Sequence, residues 1–126
     1  MPALEPVAAL RVVAAPDALD GARWPGTDVD VLRTAPDEVL GLGATAVEVD
    51  DPDAIVETES GFVVALLGRD ELRVLAAHTD WALPTESGVL AQGKVAGVPA
   101  KVVGGTPTLL VTNAAYADEL RRRLGW

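Results

Sequence analysis

Residues 61–79 read GFVVALLGRDELRVLAAHT, and the fold class turns on this stretch. Phe62–Leu67 is apolar at both phases of the strand alternation, the pattern of a β-strand covered on both faces and lying centrally in a sheet. Gly68 ends it. From Arg69 the period changes: Leu72, Leu75, Ala76 and Thr79 recur at helical spacing, and Asp70 and Glu71 occupy the first turn, where the helix dipole favours negative charge. The reading is a helix over Arg69–His78 that follows its strand across a single glycine.

Working outward, Ala54–Glu59 is a second β-compatible run, and Ser60-Gly61 suits a tight reversal because glycine accepts positive φ without steric cost. A hairpin is expected there. Downstream, Val89–Val95 and Val98–Val103 form another hairpin around Ala96-Gly97. Gly104-Gly105 with Thr106-Pro107 reverses the chain again, and Thr108–Thr112 reads as a further strand. Asn113 is placed to cap a last helix, in which Ala117, Leu120 and Leu124 share one face while Asp118–Arg122 and Glu119–Arg123 are spaced as i,i+4 ion pairs. Arg121, Arg122 and Arg123 lie at its C-terminal end, where the dipole favours cations. From Ala54 the expected order is therefore two strands, helix, three strands, helix.

The front of the chain is less regular. Leu10–Ala14 and Asp28–Leu32 read as strands, Ala18–Thr27 as a surface connection carrying Gly21, Pro25 and Gly26, and Glu38–Leu42 as a third strand after the Ala35-Pro36-Asp37 turn. The fold class is α+β with an antiparallel-rich sheet in one domain over 1–126, comprising a strand-rich first half (1–49) and a β2-α-β3-α second half (50–126).

Composition bounds the chemistry. The chain has 126 residues, 49% apolar and 23% charged, enough to bury a core without metal or disulfide staples. It has no cysteine, which removes thiol catalysis, thiolate metal sites and disulfides, and its one histidine, His78, leaves little for a metal site or a nucleophile–base pair. A net charge of −9 opposes binding to a phosphate backbone, so nucleic acid is not an expected partner. Residues 1–63 hold 13 acids against 3 bases, and residues 64–126 hold 6 against 7. The run Glu48, Asp50, Asp51, Asp53, Glu57 and Glu59 lacks the order of a calcium loop and reads as a solvated acidic face. Pro2, Glu5 and Pro6 interrupt the start of the chain where a signal peptide needs a positive charge and then an unbroken apolar run. Val102–Ala117, the longest uncharged stretch, holds Gly104, Gly105, Pro107 and Asn113 and suits no membrane helix. A cytoplasmic protein without a membrane partner is expected.

Three stretches resemble a known family. Leu32–Leu40, with its Pro36-Asp37-Glu38 between apolar runs, is one; Gly61–Gly68 followed by Leu72, Val74 and Leu75 is the second. The third is Ala91-Gln92 with Ala96-Gly97-Val98-Pro99, completed by the helix over Tyr116–Leu124. Their order resembles the γ subunit family of heterotetrameric sarcosine oxidase, whose aminomethyltransferase-like, folate-binding fold is a duplication of two such units. The resemblance implies a second unit over Ala54–Leu124 behind a shortened first one that keeps three strands. It implies a non-catalytic γ-like subunit or accessory module of an amine-demethylating complex, partnered by larger oxidase subunits. This chain alone would hold no cofactor, and flavin and tetrahydrofolate would be bound in the partner complex. The other expectation is a stand-alone homodimer that rebuilds a channel for a folate-like ligand or for one-carbon transfer.

No catalytic residue is predicted. His78, near the end of its helix, reads as a cap on terminal carbonyls. Trp24, Trp81 and Trp126 are the interface candidates, because tryptophan is enriched at binding hot spots and these are three of only five aromatic residues; half-buried packing is the plainer reading. Gln92, Lys94 and Lys101 on the second hairpin either line a pocket for an anionic ligand or occupy exposed alternating strand positions. The glycines form no dinucleotide fingerprint or P-loop and read as turn residues. The run Arg121–Arg123 reads as a helix end rather than as an anion site.

Overall fold

A computed structural model describes residues 2–26 and 28–126. The protein is of the α+β class, with antiparallel ladders and three short α-helices among the described residues. The elements are β1 (Glu5–Val13), α1 (Pro16–Asp20), β2 (Asp30–Ala35), β3 (Glu38–Leu42), β4 (Ile55–Leu67), α2 (Arg69–Ala77), β5 (Leu90–Val95), β6 (Val98–Val103), β7 (Thr108–Asn113) and α3 (Ala117–Leu124). The chain divides into two compact units, Val7–Ser60 and Gly61–Trp126, the second also taking in the N-terminal residues up to Pro6. The boundary between them in the middle of the chain falls at Ser60/Gly61.

In the Val7–Ser60 unit, β3 lies between β1 and β2. Ala9 faces Leu42 and Val13 faces Glu38 on one side, and on the other Asp30 faces Leu42, with a register shift between Arg33 and Ala35. Val12, Ala14, Leu19 and Val39 are buried together, with Trp24, Val47, Val49 and Ala54 packed against them. Part of the expected connection over residues 18–27 is instead the end of α1, started by Pro16 at a first-turn position that needs no N–H. Thr27 lies outside the described residues. Arg33 ties α1 to the β2–β3 turn: its guanidinium donates to Asp20 (2.8 Å), to the Pro16 carbonyl (3.2 Å) and to the Pro36 carbonyl (2.8 Å). β2 begins two residues later than expected and continues to Ala35, whereas β3 occupies the expected Glu38–Leu42.

In the second unit, β4, β7, β6 and β5 are neighbours in that order. Phe62 faces Asn113 and Leu67 faces Thr108; Ala100 faces Thr112; Gln92 faces Lys101 and Lys94 faces Pro99. One face of this ladder supplies Val63, Ala65, Leu67, Val95, Val98, Ala100, Val102 and Leu110 to a core completed by Leu75 of α2 and by Ala117, Leu120 and Leu124 of α3. The expected α3 face is thus the buried one. Each fully buried leucine in this layer stabilises by about 1.5–3 kcal/mol relative to exposure. The Ala96-Gly97 turn has positive φ at both residues, 49° and 79°, as a two-residue hairpin turn requires. Arg123 donates to the Ala96 carbonyl and so ties α3 to that turn.

Three expectations are corrected. Ala54–Glu59 and Phe62–Leu67 do not pair as a hairpin: Ile55–Glu59 and Phe62–Leu67 belong to one continuous strand, β4, and Phe62–Leu67 finds its partner in β7. Gly61 has φ +100°, but this conformation is accommodated within the strand instead of reversing it. The order from Ala54 is accordingly one strand, helix, three strands, helix. Secondly, β4 is not covered on both faces throughout, since Val63, Ala65 and Leu67 are buried while Leu66 is 64% exposed. Thirdly, Asp118 pairs with Arg121 (3.0 Å) and not with Arg122. Arg121 also donates to the Leu4 carbonyl, which holds its head beside the short aspartate, and Arg122 turns to Glu119 at 3.8 Å. The Glu119–Arg123 pair forms as expected.

The two units share an order that the sequence reading did not resolve. β1, α1, β2, β3 and the first half of β4 are followed by the second half of β4, α2, β5, β6 and β7. α1 and α2 are each followed, four residues past the end, by a tryptophan: Trp24 after Asp20 and Trp81 after Ala77. Each ring lies against a strand glycine. A Cβ on Gly41 would collide with the Trp24 ring, and one on Gly93 would sit 2.6 Å from the Trp81 indole. The first unit therefore contains a helix as well as strands, and α3 has no counterpart in it.

Candidate ligand groove on the second hairpin

Gln92, Lys94 and Lys101 line one groove of about 410 Å³ on the β4–β7–β6–β5 ladder. The geometry follows from the hairpin. With a two-residue turn at Ala96-Gly97, Gln92 opposes Lys101 and Lys94 opposes Pro99, so all four project from one face and the two lysines are diagonal neighbours. Diagonal positions lie roughly 7–8 Å apart, within reach of two long side chains converging on one group. This is the face opposite the core, which takes Val95, Val98 and Ala100 from the same hairpin.

Phe62, Asn113 and Tyr116 also line the groove. The Lys101 ammonium lies 5.9 Å from the centre of the Phe62 ring, a distance at which the ring quadrupole attracts a cation. Tyr116, 40% exposed, stands in the 3₁₀ turn Ala114–Tyr116 that leads into α3. Asn113 starts that turn by accepting the Ala115 N–H at 2.9 Å, so its expected cap is present but acts on the 3₁₀ turn ahead of α3. Among the described residues, no carboxylate side chain lines the groove. Phe62 and Tyr116 escaped the sequence reading because their approach depends on β4–β7 pairing, which the expected Ser60-Gly61 hairpin had obscured. The signal that would have found the Gln92–Lys101 juxtaposition was the two-residue turn and its register.

The tryptophans are all half-buried. Trp24 packs on the core of the first unit. Trp81 packs on the core of the second and donates its indole N–H to the Lys94 carbonyl at 2.9 Å, behind the groove-lining strand. Trp126 packs against the same core as Trp81, and its N–H donates to the Arg121 carbonyl (2.9 Å) across Gly125, whose φ of 75° is the left-handed closure of a helix C-terminus. Within the second unit, Trp126 lies beside Pro2, Asp70, Glu71 and Val74, a residue set separate from that of the groove.

His78 caps α2 as expected, its Nδ1–H donating to the Val74 carbonyl at 2.9 Å. Members of the acidic run have local partners. Glu48 pairs with Arg23 (3.0 Å), Glu57 lies 3.6 Å from Arg11, and Asp51 accepts the N–H groups of Ala15 (2.8 Å) and Asp53 (2.9 Å). Those two bonds hold the Asp51 carboxyl below its ordinary range, outweighing a small desolvation effect. Among the described residues, no three His, Cys, Asp or Glu side chains are grouped to hold a metal ion, and no helix is long and apolar enough to cross a membrane. No protein-family model matches the chain, and no curated protein matches its sequence.

Proposed function

We propose that the chain is a non-catalytic, γ-like accessory subunit of a sarcosine-oxidase-type amine-demethylating complex. The observation that carries this reading is the repeated order of strand, helix and three strands in Val7–Ser60 and again from Gly61, with Trp24 and Trp81 at matching places. A duplicated unit of that kind is what the resemblance over Leu32–Leu40, Gly61–Leu75 and Ala91–Leu124 implies. Flavin and tetrahydrofolate chemistry belongs to the larger partner subunits, and this chain contributes surface and structural support. Trp126 is the first contact residue of the proposed interface, half-buried at the end of α3 and large enough to anchor a partner; Trp81 and Trp24 are secondary to it.

The test is capture of the tagged chain from lysate of its native host, with bound proteins identified by mass spectrometry and flavin read by absorbance. Stoichiometric recovery of a flavoprotein oxidase subunit, reduced by Trp126→Ala, is the expected result. Recovery of the chain without any such subunit would refute the reading.

A further inference from the structure

We propose that the groove between Phe62 and the β5–β6 hairpin is a binding site for a small aromatic anion, its charged group held by Lys94 and Lys101. The chain has 19 acidic residues against 10 basic ones, and only two of the basic residues are lysines. Six of the eight arginines are committed to carboxylates: Arg11, Arg23, Arg33, Arg121, Arg122 and Arg123. Among the described residues neither lysine is ion-paired, although acids outnumber bases almost two to one. Both lysines instead line one groove that, among the described residues, no carboxylate side chain lines.

Two ammonium groups on diagonal strand positions repel each other, and a shared anion removes that repulsion. Lysine suits the task as a flexible point charge, whereas arginine would demand a planar, bidentate partner. The aromatic part of the ligand follows from the walls. Phe62 lies beside Lys101 at 5.9 Å, and Tyr116, 40% exposed, also lines the groove, so a flat apolar body has aromatic side chains on which to pack next to the charge. Asn113 and Gln92 add side-chain amides to the rim. A volume of about 410 Å³ is in the range of small-molecule sites and too small for a folded partner. The Asn113 cap and the Trp81–Lys94 hydrogen bond fix the two walls from behind. This inference does not depend on the subunit reading, because it concerns the chain by itself.

The experiment is NMR titration of the isolated full-length chain with phenyl phosphate, inorganic phosphate and benzyl alcohol in turn. The inference predicts saturable shifts confined to the groove with phenyl phosphate, weaker binding of inorganic phosphate and none of benzyl alcohol. Lys94→Gln/Lys101→Gln, a change at strand positions outside the core, should keep the fold and weaken phenyl phosphate by at least about tenfold. Unchanged affinity in that folded double variant, or no saturable shift in the parent protein, overturns the site. Equal affinity for phenyl phosphate and inorganic phosphate overturns the aromatic part of the assignment.

Discussion

Asp51 shows how a single side chain writes a pH dependence into the fold. Its two backbone hydrogen bonds exist only in the native state and favour the carboxylate, so its folded pKa lies below the unfolded one. Stability from this group is therefore present above the ordinary aspartate range and is lost as pH falls through the lowered value. Asp51→Asn should lower the urea midpoint at pH 7 and converge on the parent protein in strong acid; a gap of constant size down to pH 2 would contradict this. Trp81 offers a second test. Trp81→Phe removes the N–H donated to Lys94 and should cost about 1 kcal/mol. Gly93→Ala drives a Cβ to 2.6 Å from the indole and should cost about 1–3 kcal/mol. The Gly93→Ala penalty should shrink in a Trp81→Ala background, because the two groups share one contact; additive losses in denaturant melts would argue against the packing. The basic half of the site was legible at this scale: Gln92, Lys94 and Lys101 fall on one face once the Ala96-Gly97 turn is read as two residues. The aromatic half was not, since the nearness of Phe62 to Lys101 arises from strands far apart in sequence.

At the scale of elements, β4 is the instructive case. A β-compatible run, Ser60-Gly61 and a second run look locally like a hairpin, and the positive φ of Gly61 fits that reading. Pairing decides otherwise: β7 supplies six consecutive partners for Phe62–Leu67, a long-range choice that local turn chemistry cannot encode. No heavy atom lies near a Cβ built on Gly61, so Gly61→Ala is penalised for backbone conformation alone, by about 1 kcal/mol in equilibrium unfolding. A neutral substitution would mean that the bend is not needed. Helices were more readable because their signals are local. Asp70 and Glu71 open α2, His78 closes it, and Leu120 and Leu124 mark the buried face of α3. Leu120, fully buried between α3 and the ladder, should lose about 2–5 kcal/mol on truncation to alanine, measured by urea unfolding. α1 was missed because five residues give too little periodicity to detect.

Across the whole molecule, the repeated order from β1 and again from β4 is visible only once the elements are known, since the two units differ in charge and in residue choice. Val7–Ser60 holds twelve acids against three bases, while the remaining residues hold seven of each, so the entire excess of negative charge belongs to the first unit. Net charge of that size bears on solubility and on the sign of a partner's surface, and it was readable from the sequence without any fold. The repeated order of elements, by contrast, bears on the proposed role only through the assembly with larger subunits that the resemblance implies. The most direct test of that role is the native mass of the endogenous, untagged chain purified from its host. The account predicts a hetero-oligomer holding this chain in stoichiometric amount with a flavoprotein subunit. A mass corresponding to a monomer or a homodimer would contradict it.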